Sequence, residues 1–228
     1  RDSRQEVFMH GVFDIVGPVR IGPSSSHTAG AARIGLMARN ILKDEPEKAL
    51  ITVYGSFAKT YKGHGTDKAL VAGLLGFSAD DTRLRDSFSI AAEKGLEITL
   101  QRSDEEVDHP NTVRIAMTGK NGNQAEILGV SLGGGKIEIR EINGFEVSLN
   151  GEEHTLITLH RDQPGIIAQA TTIMAIGHIN VSTMKVFRSG KHANAVMIVC
   201  TDSPVPEEMV SLIGNISAIE SVITLAPL

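Results

Sequence analysis

Residues 154–169 read His154-Thr155-Leu156-Ile157-Thr158-Leu159-His160-Arg161-Asp162-Gln163-Pro164-Gly165-Ile166-Ile167-Ala168-Gln169. The first seven make a short apolar strand that Asp162 to Gly165 ends. Residues 164–176 then read as a helix, with proline near its first turn and Gly177 just past its end. Downstream the rhythm continues: a strand over 179–187, a turn over 188–191, a strand over 192–201, a helix over 206–214 and a strand over 217–225. Strand-helix-strand-strand-helix-strand is the split βαβ plan of ferredoxin-like folds. Such a sheet carries both helices on one face, so its other face is expected to need a partner.

Upstream, the polar stretch Asn150-Gly151-Glu152-Glu153 marks a boundary, dividing the chain into 1–150 and 151–228. The first part mixes helices and strands. Residues 29–42 read as a helix and 50–54 as a strand. A glycine-rich connection over 55–67 follows, and then a helix over 68–75 that Gly76 ends. Asp80 and Asp81 cap a helix expected over 82–94. Strands follow over 96–101, 112–118 and 124–131. Asn143-Gly144 is a strong hairpin signal, and Gly133-Gly134-Gly135 a sharp bend. The fold class is therefore α+β, with an antiparallel first part and a ferredoxin-like second part.

The chemistry concentrates in Gly22-Pro23-Ser24-Ser25-Ser26-His27-Thr28. These residues open the first helix, so one serine is expected as its N-cap. Free N–H groups at a helix start favour a carboxylate or phosphate. A Ser-rich turn before an ordinary helix accounts for one hydroxyl, but not for three beside a histidine. A second helix-opening loop, Lys62-Gly63-His64-Gly65-Thr66-Asp67, repeats the combination. A lone histidine in a polar loop is more often solvated than catalytic; two such loops in one domain leave both readings open.

Composition narrows the classes. With 41% hydrophobic and 21% charged residues the chain is of ordinary soluble type. A net charge of −5 gives no nucleic-acid surface, and with no Trp and two Tyr there is no base-stacking platform. No apolar run reaches a membrane span, and the opening residues 1–6 lack a signal peptide's apolar core. A cytoplasmic protein is expected. Cys200 is the single cysteine, so this chain alone holds neither a disulfide nor a cysteine-ligated cluster.

Two resemblances extend this reading. On Arg161-Asp162-Gln163-Pro164-Gly165-Ile166-Ile167 and Gly177-His178-Ile179-Asn180-Val181, the second part resembles an ACT domain, an amino-acid-sensing module. The resemblance implies an effector site at Gln163, Gly165, Ile166 and Asn180, and self-association through paired ACT domains. On Val16-Gly17-Pro18, Ile21 to Thr28, Tyr54-Gly55-Ser56, Lys62 to Asp67 and Ser131-Leu132-Gly133-Gly134-Gly135, the first part resembles the β region of iron–sulfur-dependent L-serine dehydratases. Some single-chain relatives have a second histidine where Gly65 stands and a proline near Gly30; His27 and His64 are both kept here.

The resemblance implies conversion of L-serine to pyruvate and ammonia at a site shared between chains. A [4Fe-4S] cluster would be ligated by a partner α subunit, with no metal held by this chain, and an open iron would take the substrate hydroxyl. His64 would be the base and His27 the acid or substrate holder. Ser24, Ser25, Ser26 and Thr28 would orient the carboxylate and amine, and Asp67 would fix an imidazole tautomer. The competing expectation is a non-catalytic amino-acid sensor, similar to a domain of some bacterial phosphoglycerate dehydrogenases.

Overall fold

The computed structural model describes residues 26–61, 65–189 and 193–228. A π-helical turn, Ser26–Gly30, runs directly into α1, Ala31–Leu42. The chain then forms β1 (Pro46–Val53), α2 (Gly55–Thr60), α3 (Thr66–Leu74), a 3-10 turn (Thr82–Asp86), α4 (Ser87–Glu93) and β2 (Glu97–Arg102). Four strands follow: β3 (Thr112–Gly119), β4 (Gln124–Gly133), β5 (Lys136–Ile142) and β6 (Phe145–Leu149). The second part is β7 (His154–Arg161), α5 (Ile166–Ile176), β8 (Val181–Arg188), β9 (Asn194–Thr201), α6 (Glu207–Gly214) and β10 (Ile219–Leu225).

The first six strands make one sheet in the order β2-β1-β3-β4-β5-β6. Pairing is antiparallel except between β1 and β2, which run parallel with Leu50 opposite Thr99. The first part has the antiparallel character expected, and its one parallel pair arises because the helical crossover α2–α4 returns the chain to the same end of the sheet. The second sheet, β10-β7-β9-β8, is antiparallel throughout and has the split βαβ connection order.

Alternation along β1, β3 and β4 turns Ile51, Val53, Val113, Ile115 and Ile127 inward, where α1 covers them with Ile34, Met37 and Ala38. Helix α3 packs on α1 at a crossing too close for side chains. A Cβ on Gly73 would lie 2.1 Å from the Ala32 carbonyl oxygen and 2.5 Å from the Leu36 nitrogen. Glycine is required there so that the two backbones can touch.

The second sheet has two buried faces. Leu156, Met197 and Val199 pack under α5 and α6 with Ala170, Met174 and Ile213. On the other face Ile157, Val196, Ile198 and Leu225 join the core of the first sheet, meeting α1 and β6. The face expected to need a partner is thus covered within the same chain.

Three local expectations change. The 55–67 connection contains α2, a six-residue helix in which only Phe57 and Ala58 are buried, too short for a readable period. The 82–94 helix divides into a 3-10 turn and α4; Asp81 does cap it, accepting from the Arg83 N–H at 2.9 Å. The first helix begins as a π turn, with no side-chain cap at Gly30. Of the three serines, one of which is expected to cap it, Ser24 and Ser25 lie outside the described residues and of Ser26 only the backbone is described.

Candidate active site

The C-terminal end of β1 builds the floor of the site. Tyr54 is extended and its N–H donates to the Thr112 carbonyl at 3.0 Å. Gly55 then takes φ +53°, and a Cβ there would lie 2.6 Å from the Pro110 carbonyl oxygen. That positive φ lets the chain turn into α2 while Ser56 N–H donates to the same Pro110 oxygen at 2.6 Å. Ser56 consequently stands at the sheet end, its hydroxyl aimed across at the π turn.

His27 meets it. Its Nε2 lies 3.2 Å from Ser56 Oγ, and its ring packs edge-on to Phe57 with centroids 5.4 Å apart. A hydroxyl can donate or accept, so the pair suits either neutral tautomer of the imidazole. Thr28, the next residue, is buried. Insertion of a π turn re-aims side chains relative to a regular helix, and such turns recur at functional sites.

The far side of the turn rests on β4. Gly30 is so close to Ser131 that a Cβ would lie 2.0 Å from its Oγ, and Ala29 faces Gly135 in the β4–β5 turn. Three motifs from distant parts of the sequence, at 26–30, 54–56 and 131–135, therefore converge at one end of the first sheet.

Residues 109–111 belong to this end as well. Ser131 N–H donates to the Asn111 carbonyl at 3.0 Å, and Asn111 Nδ2 faces the Ser131 carbonyl at 3.4 Å. Because a carbonyl only accepts, the amide is oriented with its nitrogen toward Ser131. Asn111 Oδ1 is buried and has no hydrogen-bond partner among the described residues. His109 Nδ1 accepts from the Asn111 N–H at 3.2 Å. Burial pushes the His109 imidazole below its ordinary value, and the Arg140 guanidinium adds to this against Asp108 and Glu138. A cleft of about 680 Å³ opens beside Ser56, between Lys59 and Arg102 on one hand and Asp104, Glu105 and Glu106 on the other.

Of the residues expected from sequence, His27 and Thr28 are brought to this site. His64, Ser24 and Ser25 lie outside the described residues, and of Ser26 only the backbone is described. The described ends of the His64 loop are tied together, with Thr66 N–H donating to the Tyr61 carbonyl at 3.0 Å. Asp67 sits in the first turn of α3, its Oδ1 accepting from the Lys68 N–H at 2.8 Å. Ser56 and Ser131 lie within sequence motifs that assign them no role, and Asn111 lies in no motif. No pattern marks Asn111, because its burial arises only when β3, β4 and α2 assemble.

The four expected effector residues are not gathered in one chain. Arg161, at the exit of β7, pairs with Asn194 at the start of β9, whereas Val181, at the entry of β8, pairs with Thr201 at its end. Gln163, Gly165 and Ile166 therefore lie at one end of the sheet and Asn180 at the other. Asn180 Nδ2 donates to Asp202 at 2.6 Å, and Gly165 precedes α5 with φ +92°.

Among the described residues no group of three or more His, Cys, Asp or Glu is placed to hold a metal. Cys200 is buried on β9, and one thiol cannot supply a cluster's ligand set. This chain's residues do not fit an iron–sulfur site. No helix among the described residues is long and apolar enough to cross a membrane.

Residues 11–93 match the family described as serine dehydratase beta chain. The chain is 44% identical over 215 residues to the probable L-serine dehydratase, beta chain, of Bacillus subtilis (strain 168), covering 94% of this chain and 97% of that one. It is 36% identical over 206 residues to the L-serine dehydratase, beta chain, of Peptoniphilus asaccharolyticus, covering 90% and 92%. It is also 26% identical over 198 residues to a D-3-phosphoglycerate dehydrogenase of Synechocystis sp., covering 85% of this chain but 35% of that one.

Proposed function

The chain belongs to the serine dehydratase β-chain family, and on that premise we propose that it supplies proton-transfer and substrate-holding groups to a site completed by a cluster-bearing α subunit. The observation that carries this reading is the His27–Ser56 contact at 3.2 Å, at the sheet end where three sequence motifs converge. A sensor needs polar groups for an amino acid. It does not need an imidazole held by a hydroxyl beside an open cleft.

In the reaction, the α-proton of L-serine is removed, the Cβ–O bond breaks and the hydroxyl leaves as water. The resulting aminoacrylate tautomerises and hydrolyses to pyruvate and ammonia. An imidazole is suited to both proton transfers near neutral pH. We assign His64 as the base and His27 as the acid that protonates the departing hydroxyl, with Ser56 fixing the His27 ring. The substrate carboxylate goes to the hydroxyls of Ser24, Ser25, Ser26 and Thr28, and Asp67 orients His64. Asn111 Oδ1, a buried acceptor lacking a donor among the described residues, is suited to the substrate ammonium. The cluster belongs to the α subunit, and the cleft beside Ser56 leaves room for that subunit's residues. The chain is inactive alone.

Regulation resides in residues 151–228. Antiparallel pairing of two β8 edges would bring Asn180 of one copy beside Arg188 of the other. Arg188 Nε already donates to Asp162 at 2.8 Å, next to Gln163. The effector set of Gln163, Gly165, Ile166 and Asn180 is thus completed only between two copies.

The second reading, a non-catalytic sensor, is favoured by the match to about a third of a phosphoglycerate dehydrogenase, named for a different reaction. The two readings separate on His27→Ala in the complex with the α subunit. Loss of kcat by about 10²–10⁴-fold with association retained supports catalysis; unchanged kcat supports the sensor.

A further inference from the structure

Arg33 differs from the other half-buried arginines. Arg39, later in α1, donates from Nη1 to the Leu74 carbonyl at 2.9 Å. Arg114 pairs with Glu126 and Glu141, and Arg140 with Asp108 and Glu138. The Arg33 side chain has no such partner among the described residues, and its Nε is buried with no acceptor. A guanidinium cannot shed its proton, so burying its N–H groups unmatched is costly until an anion meets them.

Its place in the helix points the same way. Arg33 is the third residue of α1, and that first turn carries no acidic side chain. A cation there opposes the helix dipole, which a bound anion would offset. Four residues earlier, Ala29 faces Gly135 in the β4–β5 turn. Residues four apart share a helix face, and helical side chains lean toward the N-terminus. The guanidinium is therefore carried back over Ala29 toward that turn, at the same sheet end as His27. The turn leaves room for a ligand. A Cβ on Gly133 would meet nothing within 4 Å, and one on Gly135 only the Ala29 methyl at 3.8 Å. Asn111, whose Oδ1 lacks a donor among the described residues, is bonded to Ser131, two residues before Gly133. One end of the sheet thus holds an unmatched donor and an unmatched acceptor.

We propose that Arg33 binds the α-carboxylate of the substrate through two parallel N–H···O contacts, making the site selective for small hydroxycarboxylates over the corresponding amines. The hydroxyls assigned to the carboxylate above add hydrogen bonds around it. Arg33 adds the opposite charge and a planar fork matched to a carboxylate. The assignment rests on the shared-site reading, and it supplies that site with a group for which the reading had no residue.

Steady-state kinetics of the complex with the α subunit test it. Arg33→Met keeps the aliphatic stem and removes the charge. It should raise the KM for L-serine about 10–100-fold while kcat falls far less. It should not lower the melting temperature, since it removes a cation with no partner. Arg33→Lys should recover a large part of the loss in KM. 3-Hydroxypropanoate, which keeps the carboxylate and hydroxyl, should compete with L-serine about tenfold or more weakly against Arg33→Met than against wild type. Ethanolamine, which keeps the ammonium and hydroxyl, should compete equally with both. Neither competitor is an α-amino acid, so an effector site for amino acids does not enter the comparison. An unchanged KM, a rise that Arg33→Lys does not relieve, a lowered melting temperature or an equal loss of ethanolamine competition overturns the assignment. So does loss of association with the α subunit, which would make Arg33 an interface residue instead. His27→Ala measured alongside separates the two failures. If it lowers kcat while Arg33→Met leaves KM unchanged, Arg33 alone is misassigned; if neither variant has an effect, the shared-site reading fails with it.

Discussion

His160 and His27 are both histidines flanked by hydroxyls, yet burial sets them apart. His160 is 2% exposed inside the second sheet, its Nδ1 3.1 Å from Thr158 Oγ1. Burial holds its imidazole below the ordinary value, against a smaller opposing pull from Asp162. Near and below the ordinary value of about 6.5 the unfolded chain therefore binds a proton more readily than the folded one. The stability due to neutral His160 is complete above about pH 6.5 and is lost as pH falls toward the folded value, by at most about 1.4 kcal/mol per pH unit. Half-buried His109 adds in the same direction. Urea midpoints should drop between pH 7.5 and 5.5, and His160→Gln should flatten that drop; an unchanged slope would show that His160 does not titrate with unfolding. At the same scale, the sequence exposed His27 as a chemically unusual residue, but not its partner. Ser56 is 29 positions away, and only the turn at Gly55 and the π turn before α1 bring the two side chains together.

The α1–α3 pair packs backbone to backbone, crossing at Gly35 and Gly73. Gly73→Ala would press a methyl group onto the Ala32 and Leu36 backbone, which cannot move aside as a side chain can. The expected loss is about 1–3 kcal/mol, seen as a lower urea midpoint, and an unaltered midpoint would refute the close crossing. Much at this scale was legible in advance. The βαββαβ order could be read because apolar strand runs alternate with helices that proline opens and glycine closes. Helix α2 could not, since six residues starting at Gly55 show no period. The π turn was equally hidden, because one extra residue per turn leaves no signature in an Ala-rich segment.

Across the whole molecule the two sheets share one core, with Ile157, Ile198 and Leu225 packed among residues of the first part. Sequence gave the bare face of the second sheet but not its occupant, since no local pattern says which distant surface will cover it. With that face filled, β8 and β10 remain as the sheet's outer strands, and the proposed effector binding across paired β8 edges has a direct consequence. Gln163→Ala and Asn180→Ala chains, each deficient alone, should regain about a quarter of the amino-acid response when mixed in equal amounts, because about half of the dimers are then mixed and each of those holds one intact site of its two. No recovery on mixing would contradict a two-copy site.

On the reading proposed above, this chain contributes catalytic groups to a shared site. The decisive experiment is anaerobic pyruvate formation from L-serine, measured for this chain alone, for the α subunit alone and for the two together, with wild-type and His27→Ala chains. Activity is expected only in the mixture, with a kcat about 10²–10⁴-fold lower for His27→Ala although the subunits still associate. Full activity from the α subunit alone, or an undiminished kcat with His27→Ala, would contradict it.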